Sequence, residues 1–576
     1  MHAQNQRCLS ILTTLLLSAS TYALFAQPSV KPSTPVLRIV YFIPADRTEA
    51  PQFRERLTRV MQHVQAFYRT GMQQHGYGPC TFPLDTDPDG LLALHRVKGR
   101  FPAATYGRND AARVRQEVKE ALLRENLDID GETIVIFQRL LDWKNNVAIE
   151  VGPFVGGGDP ASGTAYVYDD ERLDALLLTS TTPGGYYGKP CSLGQFNTHY
   201  IGGIAHELGH ALGLPHDCET PEEHQSRGAS LMGGGNHRYG KELRKEGRGA
   251  FLSAASALPL SRHPLFTGKR IPAETGTAQL TALHAVATPG GFIVSGTLAA
   301  AAPVIGCALF NDPEQPSSDY DAMGWIGQCS PSGTIRFAVQ NLKPGKTEAR
   351  MRFYYPSGRY FQQTFSYSVS PQKQADLAPF NDAVSEQQAY QFFRDQDDAR
   401  LHHLANDPAL SAALRAKINL LCTLRQAAPP AIPAATATTA FLSDIPFTTA
   451  STGWGKPLRN RVFQEARATP LLEVGTTYYE KGLYAHAPSC YTYALDGTWK
   501  KLSGACGVQN GHAGSVVFVI RVDGQERFRS ELIKDHTPRS FTLDMRDARS
   551  LDLSVEDGGN GTHSDWGVWL SPRIER

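Results

Sequence analysis

His206 and His210 stand four residues apart with Glu207 beside the first, and His216 follows six residues later, all within IGGIAHELGHALGLPHD from Ile201 to Asp217. On a helix, residues four apart share one face a single turn apart, so both imidazoles reach the same ion. Gly213 suits the left-handed conformation that ends a helix and Pro215 cannot continue one, so the chain turns back and delivers His216 as a third ligand. Three neutral imidazoles leave the fourth position of a zinc ion open for water, whose pKa the metal lowers to about 7. Glu207 ligates nothing at this spacing, and its carboxylate is the candidate general base and acid for hydrolysis. The other stripe of the helix, Ile201, Ile204, Ala205, Leu208, Ala211 and Leu212, has the spacing of a buried face and turns the ligands towards a cleft.

The run from His206 to His216 resembles the zinc signature of the metzincin peptidases, and Ser230-Leu231-Met232-Gly233 resembles that clan's Met-turn. The resemblance implies that Met232 floors the site without ligating, and that Gly213 supports the turn. HELGHALGLPHD is similar to matrix metalloproteinases through most of its length, while Asp217 is more like adamalysins. Gly234 occupies the place of the switching tyrosine of astacin-like members, so no such ligand is expected there; His237 and Tyr239 are nearby candidates for transition-state contacts. In metzincins an edge strand above the cleft binds extended peptide by strand addition. By order along the chain that strand is Gly163, Thr164, Ala165 and Tyr166 through Tyr168, the alternative being an ordinary interior strand.

The elements that position this site follow from periodicity. Val36 to Ile43, Leu92 to Val97 and Thr133 to Phe137 read as strands, and Pro51 to Met72 and Asp110 to Leu123 as helices. Gly156 to Pro160 reads as a loop, and Phe251 to Leu260 as a late helix behind the site. The expected fold is multidomain: an α/β metzincin-like catalytic domain over residues 36–268, a β-sandwich spacer or packing domain over 278–372, a short helical region over 379–425, and a Pro/Ala/Thr linker over 426–440. A C-terminal all-β sandwich over 441–576 completes it.

Lys481-Gly482-Leu483, His486-Ala487-Pro488-Ser489, Leu495-Asp496-Gly497 and Asp565-Trp566 give this last stretch a resemblance to the carbohydrate-binding NPCBM family. Trp566, Trp569, Tyr478 and Tyr479 are candidates for stacking on sugar faces, the alternative for each being a place in the core. Asp557, Asn560 and Asp565 form an oxygen-rich group that suits calcium, or else a turn with solvated acids.

The 57 Lys and Arg balance 56 Asp and Glu, so no charge field favours nucleic acid or an anionic membrane. Residues 1–26 read as a secretory signal, Arg7 preceding the apolar run Leu9 to Leu17; uncleaved, the run would act as an anchor. No transmembrane segment is expected after signal removal, which predicts a secreted, periplasmic or cell-surface protein. Beyond Cys8, eight cysteines permit disulfides in an exported chain. Connectivity does not follow from sequence; local pairing joins Cys307 with Cys329, Cys490 with Cys506, and Cys191 with Cys218 across the zinc helix. The expected function is a zinc endopeptidase directed to protein or glycoprotein substrates by its C-terminal module. The alternatives are a zinc amidase of cell-wall peptidoglycan and a glycan-binding surface protein with a silent metal site.

Overall fold

The computed structural model describes residues 34–576 apart from 146, 187–188, 277, 316–318 and 464–468, so the expected signal sequence and Cys8 lie outside the described residues. No helix among the described residues is long and apolar enough to cross a membrane.

The first unit is a five-stranded sheet with helices. Its strands are β1 (Arg38–Ile43), β2 (Leu94–Lys98), β3 (Thr133–Gln138), β4 (Val155–Gly158) and β5 (Gly163–Tyr168), in the order β2-β1-β3-β5-β4. The pairs β1–β2, β1–β3 and β3–β5 are parallel, and only β4 runs antiparallel to its neighbour. Strands β3 and β5 are buried at every residue, as parallel strands covered on both faces must be. Helix α1 (Phe53–Gln74) buries Leu57, Val60, Met61, Val64, Tyr68 and Met72, the helical stripe legible in its sequence. Helices α2 (Ala111–Leu123), α3 (Leu193–Ala211) and α4 (Ala254–Leu260) belong to the same unit.

One expectation fails here, and of the two readings of Gly163 to Tyr168 the interior strand is the one found. Gly156 to Gly158 form strand β4 and not a loop, and β4, not β5, is the sheet edge. The short run Val155-Gly156-Gly157-Gly158 has no side-chain alternation from which a strand is recognisable. Gly163, Thr164, Ala165 and Tyr166 therefore lie in an interior strand whose main chain is already paired on both sides, by β3 and by β4.

Residues 278–372, expected as a β-sandwich, belong to one continuous eight-stranded sheet that runs from Ala278 to Asp376. Its strands are β6 (Ala278–Thr288), β7 (Gly291–Ala300), β8 (Gly306–Pro313), β9 (Met323–Cys329), β10 (Thr334–Gln340), β11 (Gly345–Tyr354), β12 (Tyr360–Val369) and β13 (Ala375–Asp376). They run in the order β6-β7-β10-β9-β8-β11-β12-β13. The sheet curls over one core that includes Phe292, Val294, Phe337, Met351, Phe353 and Phe365. In β10, Ile335, Phe337 and Val339 are buried while the residues between them are exposed, which is period-two burial on one face.

This β-domain is no spacer. Ala255 and Leu258 of α4 form an apolar cluster with Ala308, Phe310 and Tyr354 of the β-domain. The Cys218 amide donates to the Ala322 carbonyl at 2.6 Å, and Cys218 bridges Met323 in parallel register.

Three helices follow, α5 (Ala378–Arg394), α6 (Asp398–Ala405) and α7 (Ala412–Arg425), sharing a core with Leu471 of the C-terminal module. The linker lies along that module: the Arg576 guanidinium donates to the carbonyls of Ala434, Ala435 and Ala437. The module itself is two facing antiparallel sheets. One contains Gly482–His486, Trp566–Glu575 and Lys501–Val508; the other contains Ser489–Ala494, Ser550–Asp557 and Val516–Val522.

Cys80, Cys218, Cys307, Cys329, Cys422, Cys490 and Cys506 form no disulfide, so none of the three expected pairs is present among the described residues. Cys191 lies in the short strand Pro190–Ser192 that leads into α3, whereas Cys218 pairs with Ala322 and Met323 of the β-domain. Cys490 and Cys506 lie in different sheets of the module.

Candidate metal and hydrolytic site

Helix α3 is fixed at both ends by its own sequence. Ser192 and Gln195 form a capping box at the start, and Gly213, at φ +84°, reverses the chain at the end. The reversed segment carries His216 back to His206 and His210. The Nε2 of His210 is 3.1 Å from that of His206 and 3.0 Å from that of His216. Among the described residues this is the one group of three His, Cys, Asp or Glu whose ligand atoms converge.

The other ring nitrogen of each histidine fixes its tautomer. Nδ1 of His206 donates to the Leu231 carbonyl at 2.7 Å, that of His210 to the Leu214 carbonyl at 2.9 Å, and that of His216 to Asp319 Oδ1 at 2.6 Å. With the protons on Nδ1, three Nε2 lone pairs face one another with no donor between them. Such an arrangement is repulsive unless a cation sits among them. Tetrahedral zinc with Zn–N near 2.0–2.1 Å spaces its nitrogens by about 3.3 Å, so the residues present fit that ion. Burial, then the charge of His210, lowers the His206 pKa to about 3, keeping it neutral.

Glu207 lies on the same helix, and burial raises its pKa to about 7 while the Gly156 amide of β4 donates to its carboxylate. Gly156 permits this approach: a Cβ there would lie 2.7 Å from the Glu207 carbonyl carbon. Met232 is fully buried beneath the helix, packed where a Cβ on Gly209 would be, 3.1 Å from the Met232 methyl. Asp217, also fully buried, accepts from the hydroxyls of Ser230, Ser253 and Ser256 and so ties the turn after His216 to the Met232 segment and α4.

The strand β5 candidates divide between its two faces. Gly163 abuts the Ala211 carbonyl of α3, whereas Thr164 and Tyr166 alternate to the other face, where with Arg115 and β4 they line a groove of about 600 Å³. His237 stacks on His199, which lies seven residues before His206 on the ligand face of α3, with the two Nδ1 atoms 3.3 Å apart. Tyr239 is buried in the core with its hydroxyl 3.2 Å from His63 Nδ1, so it is not a surface on which substrate can rest.

Two residues at the site were not legible in the sequence. Asp319 and Tyr320 come from the β-domain, between β8 and β9. Tyr320 stacks on His216 with centroids 3.7 Å apart and lies parallel to His206 at 5.9 Å. Nothing in their immediate sequence marks them as partners of a histidine 103 positions away.

In the C-terminal module, Trp569 is fully buried between Phe518 and Phe541, so it is core and no sugar platform. The Lys417 ammonium of α7 lies over Tyr478, and Tyr479 packs on the cluster around Leu472 and Val568. Trp566 stacks on His512 at 3.9 Å and, with Glu473, Gln509, Asn510 and residues of α5, lines a cavity of about 460 Å³. Of the calcium candidates, Asn560 and Asp565 both accept from Ser515, and Asp557 accepts from the Gly559 amide.

Comparison with known proteins adds four findings. OgpA of Akkermansia muciniphila has a similar fold: its wild-type crystal structure is 23% identical with a TM-score of 0.50, the match covering 60% of this chain and 97% of that one. A catalytically inactive OgpA in complex with an O-glycopeptide (glycodrosocin) substrate matches equally, at 23% identity and TM-score 0.50, over 60% of this chain and 96% of that one. A Renibacterium salmoninarum protein named among the endo-alpha-N-acetylgalactosaminidases is 26% identical over 131 residues, which is 22% of this chain and only 9% of that protein's length. Residues 438–575 match the NPCBM/NEW2 domain, and the chain thus ends in a module of that family.

Proposed function

We propose that this protein is an exported, zinc-dependent endopeptidase of metzincin type that cleaves glycoproteins, held on glycan-bearing material by its NPCBM module. The observation that carries this reading is the convergence of the His206, His210 and His216 Nε2 atoms, each with its Nδ1 proton committed elsewhere. These three side chains would hold the ion. Zinc, when bound, lowers the pKa of water and polarises the scissile carbonyl.

Glu207 accepts the proton of the attacking water and returns it to the departing amine nitrogen, a role suited to a buried carboxylate held by the Gly156 amide. Edge strand β4 leaves main-chain groups for an extended peptide to pair with. The O-glycopeptide in the OgpA complex supports an O-glycosylated substrate, and the module would raise its local concentration without adding contacts in the cleft.

The test is cleavage of an O-glycosylated protein and its deglycosylated form by the purified chain, with and without chelator, beside Glu207→Ala. Chelator should abolish cleavage, and Glu207→Ala should retain one zinc while losing roughly 10²–10⁴-fold in rate. One zinc per chain with no peptide bond cut would overturn the peptidase reading, and release of peptidoglycan fragments cut at an amide would put an amidase in its place.

A further inference from the structure

The third histidine is held by a different domain from the one that carries it. Asp319 follows β8 in a short helical turn, Asp319–Asp321, and accepts the His216 Nδ1 proton at 2.6 Å. Its second carboxylate oxygen lies 3.9 Å from the Arg350 guanidinium, which in turn lies 2.9 Å from Asp312. Arg350 and Asp312 are largely buried in the β-domain, so this chain of charges sets where Asp319 can be. On its flat side the His216 ring is covered by Tyr320, stacked at 3.7 Å. Two residues after His216, the Cys218 amide donates to Ala322, and the apolar cluster of Ala255, Leu258, Ala308, Phe310 and Tyr354 docks the β-domain beside the turn.

We propose that the Asp319–Tyr320 turn is a working part of the zinc site. Asp319 is a positioning residue that fixes the tautomer and the in-plane direction of His216, and Tyr320 fixes the plane of its ring. The inference rests on the zinc reading above and extends it: the site is complete only when the β-domain is docked. A carboxylate behind a ligating imidazole also raises the basicity of the ligand nitrogen, and loss of such a partner costs roughly 10–100-fold in metal affinity. Zinc binding and docking of the β-domain are then linked, each favouring the other.

The experiment is competition for zinc against a chromophoric chelator, using the full chain and the variants Asp319→Ala, Asp319→Asn and Tyr320→Ala, with Arg336→Gln on the exposed face of β10 as a control in the same domain. The visible spectrum of each cobalt-loaded protein is the second readout. Asp319→Ala should bind zinc roughly 10–100-fold more weakly and alter the cobalt bands. Asp319→Asn, which keeps an acceptor of the same shape, should fold as the parent does and lose less. Tyr320→Ala should also alter the bands, and Arg336→Gln should change neither readout. If the parent takes up no zinc, the zinc reading itself fails. If the parent binds one zinc tightly and both Asp319 variants match it in affinity and spectrum, the zinc reading stands and this inference is overturned.

Discussion

Replacing Gly156 with alanine should disable the site without replacing any residue that ligates or carries a proton. On β4, residues alternate in direction, and a Cβ on Gly156 points into α3, 2.7 Å from the Glu207 carbonyl carbon and 3.0 Å from its Cα. Carbon atoms meet comfortably at about 3.5 Å, so strand or helix must yield by at least about 0.8 Å. The helix is held by its capping box, by Tyr68 donating to the Ala205 carbonyl, and by Met232. The edge strand, paired on one side only, is therefore what moves. Its movement takes the Gly156 amide away from the Glu207 carboxylate and shifts the main chain that would receive substrate. Overpacking of this kind costs about 1–3 kcal/mol in stability, and a misplacement near 1 Å costs roughly 10²-fold in rate. Gly157→Ala is the matched control, since a Cβ there meets nothing within 4 Å. The assay is kcat/KM on a glycopeptide together with the thermal midpoint and zinc content of both variants. Gly156→Ala with parental kcat/KM, or equal losses in the two variants, would refute the close packing of β4 on α3 as the reason for this glycine.

Two other expectations follow from buried side chains. His263 is almost fully buried, accepts from the Leu265 amide, and has its pKa lowered to about 3 by burial and then by Arg270. Its folded pKa lies below the unfolded value near 6.5, so its contribution is full above pH 6.5 and is lost as pH falls towards 3, by up to about 1.4 kcal/mol per pH unit. His263→Asn keeps the helix-capping acceptor, and denaturant unfolding at pH 7, 6 and 5 should show a shallower acid loss; an unchanged slope contradicts this. In the module, Trp569→Ala should cost about 3–5 kcal/mol and unfold the domain, whereas His512→Ala should leave its thermal midpoint close to the parent and weaken retention on a mucin-glycan column. Normal retention by His512→Ala would exclude the Trp566–His512 cavity as the glycan site.

The sequence by itself determined what depends on neighbours along the chain. The four-residue spacing of His206 and His210, the reversal at Gly213, the apolar stripe of α1 and the module motifs around His486 and Trp566 are all local patterns, and the helix or strand period converts each into a face. The short strand Val155–Gly158 escaped because glycine carries no period, and with it went the identity of the sheet edge, which depends on which strands pair across the fold. The expected Cys490–Cys506 pair failed for a geometric reason, since residues near in sequence are carried into different sheets of the module. Only the tertiary structure brought Asp319 and Tyr320 to His216, because a hydrogen bond spanning 103 residues leaves no local trace. It decided likewise that Trp569 is core, since an aromatic residue in a strand faces the opposing sheet or the solvent according to register, and register is set by distant pairing.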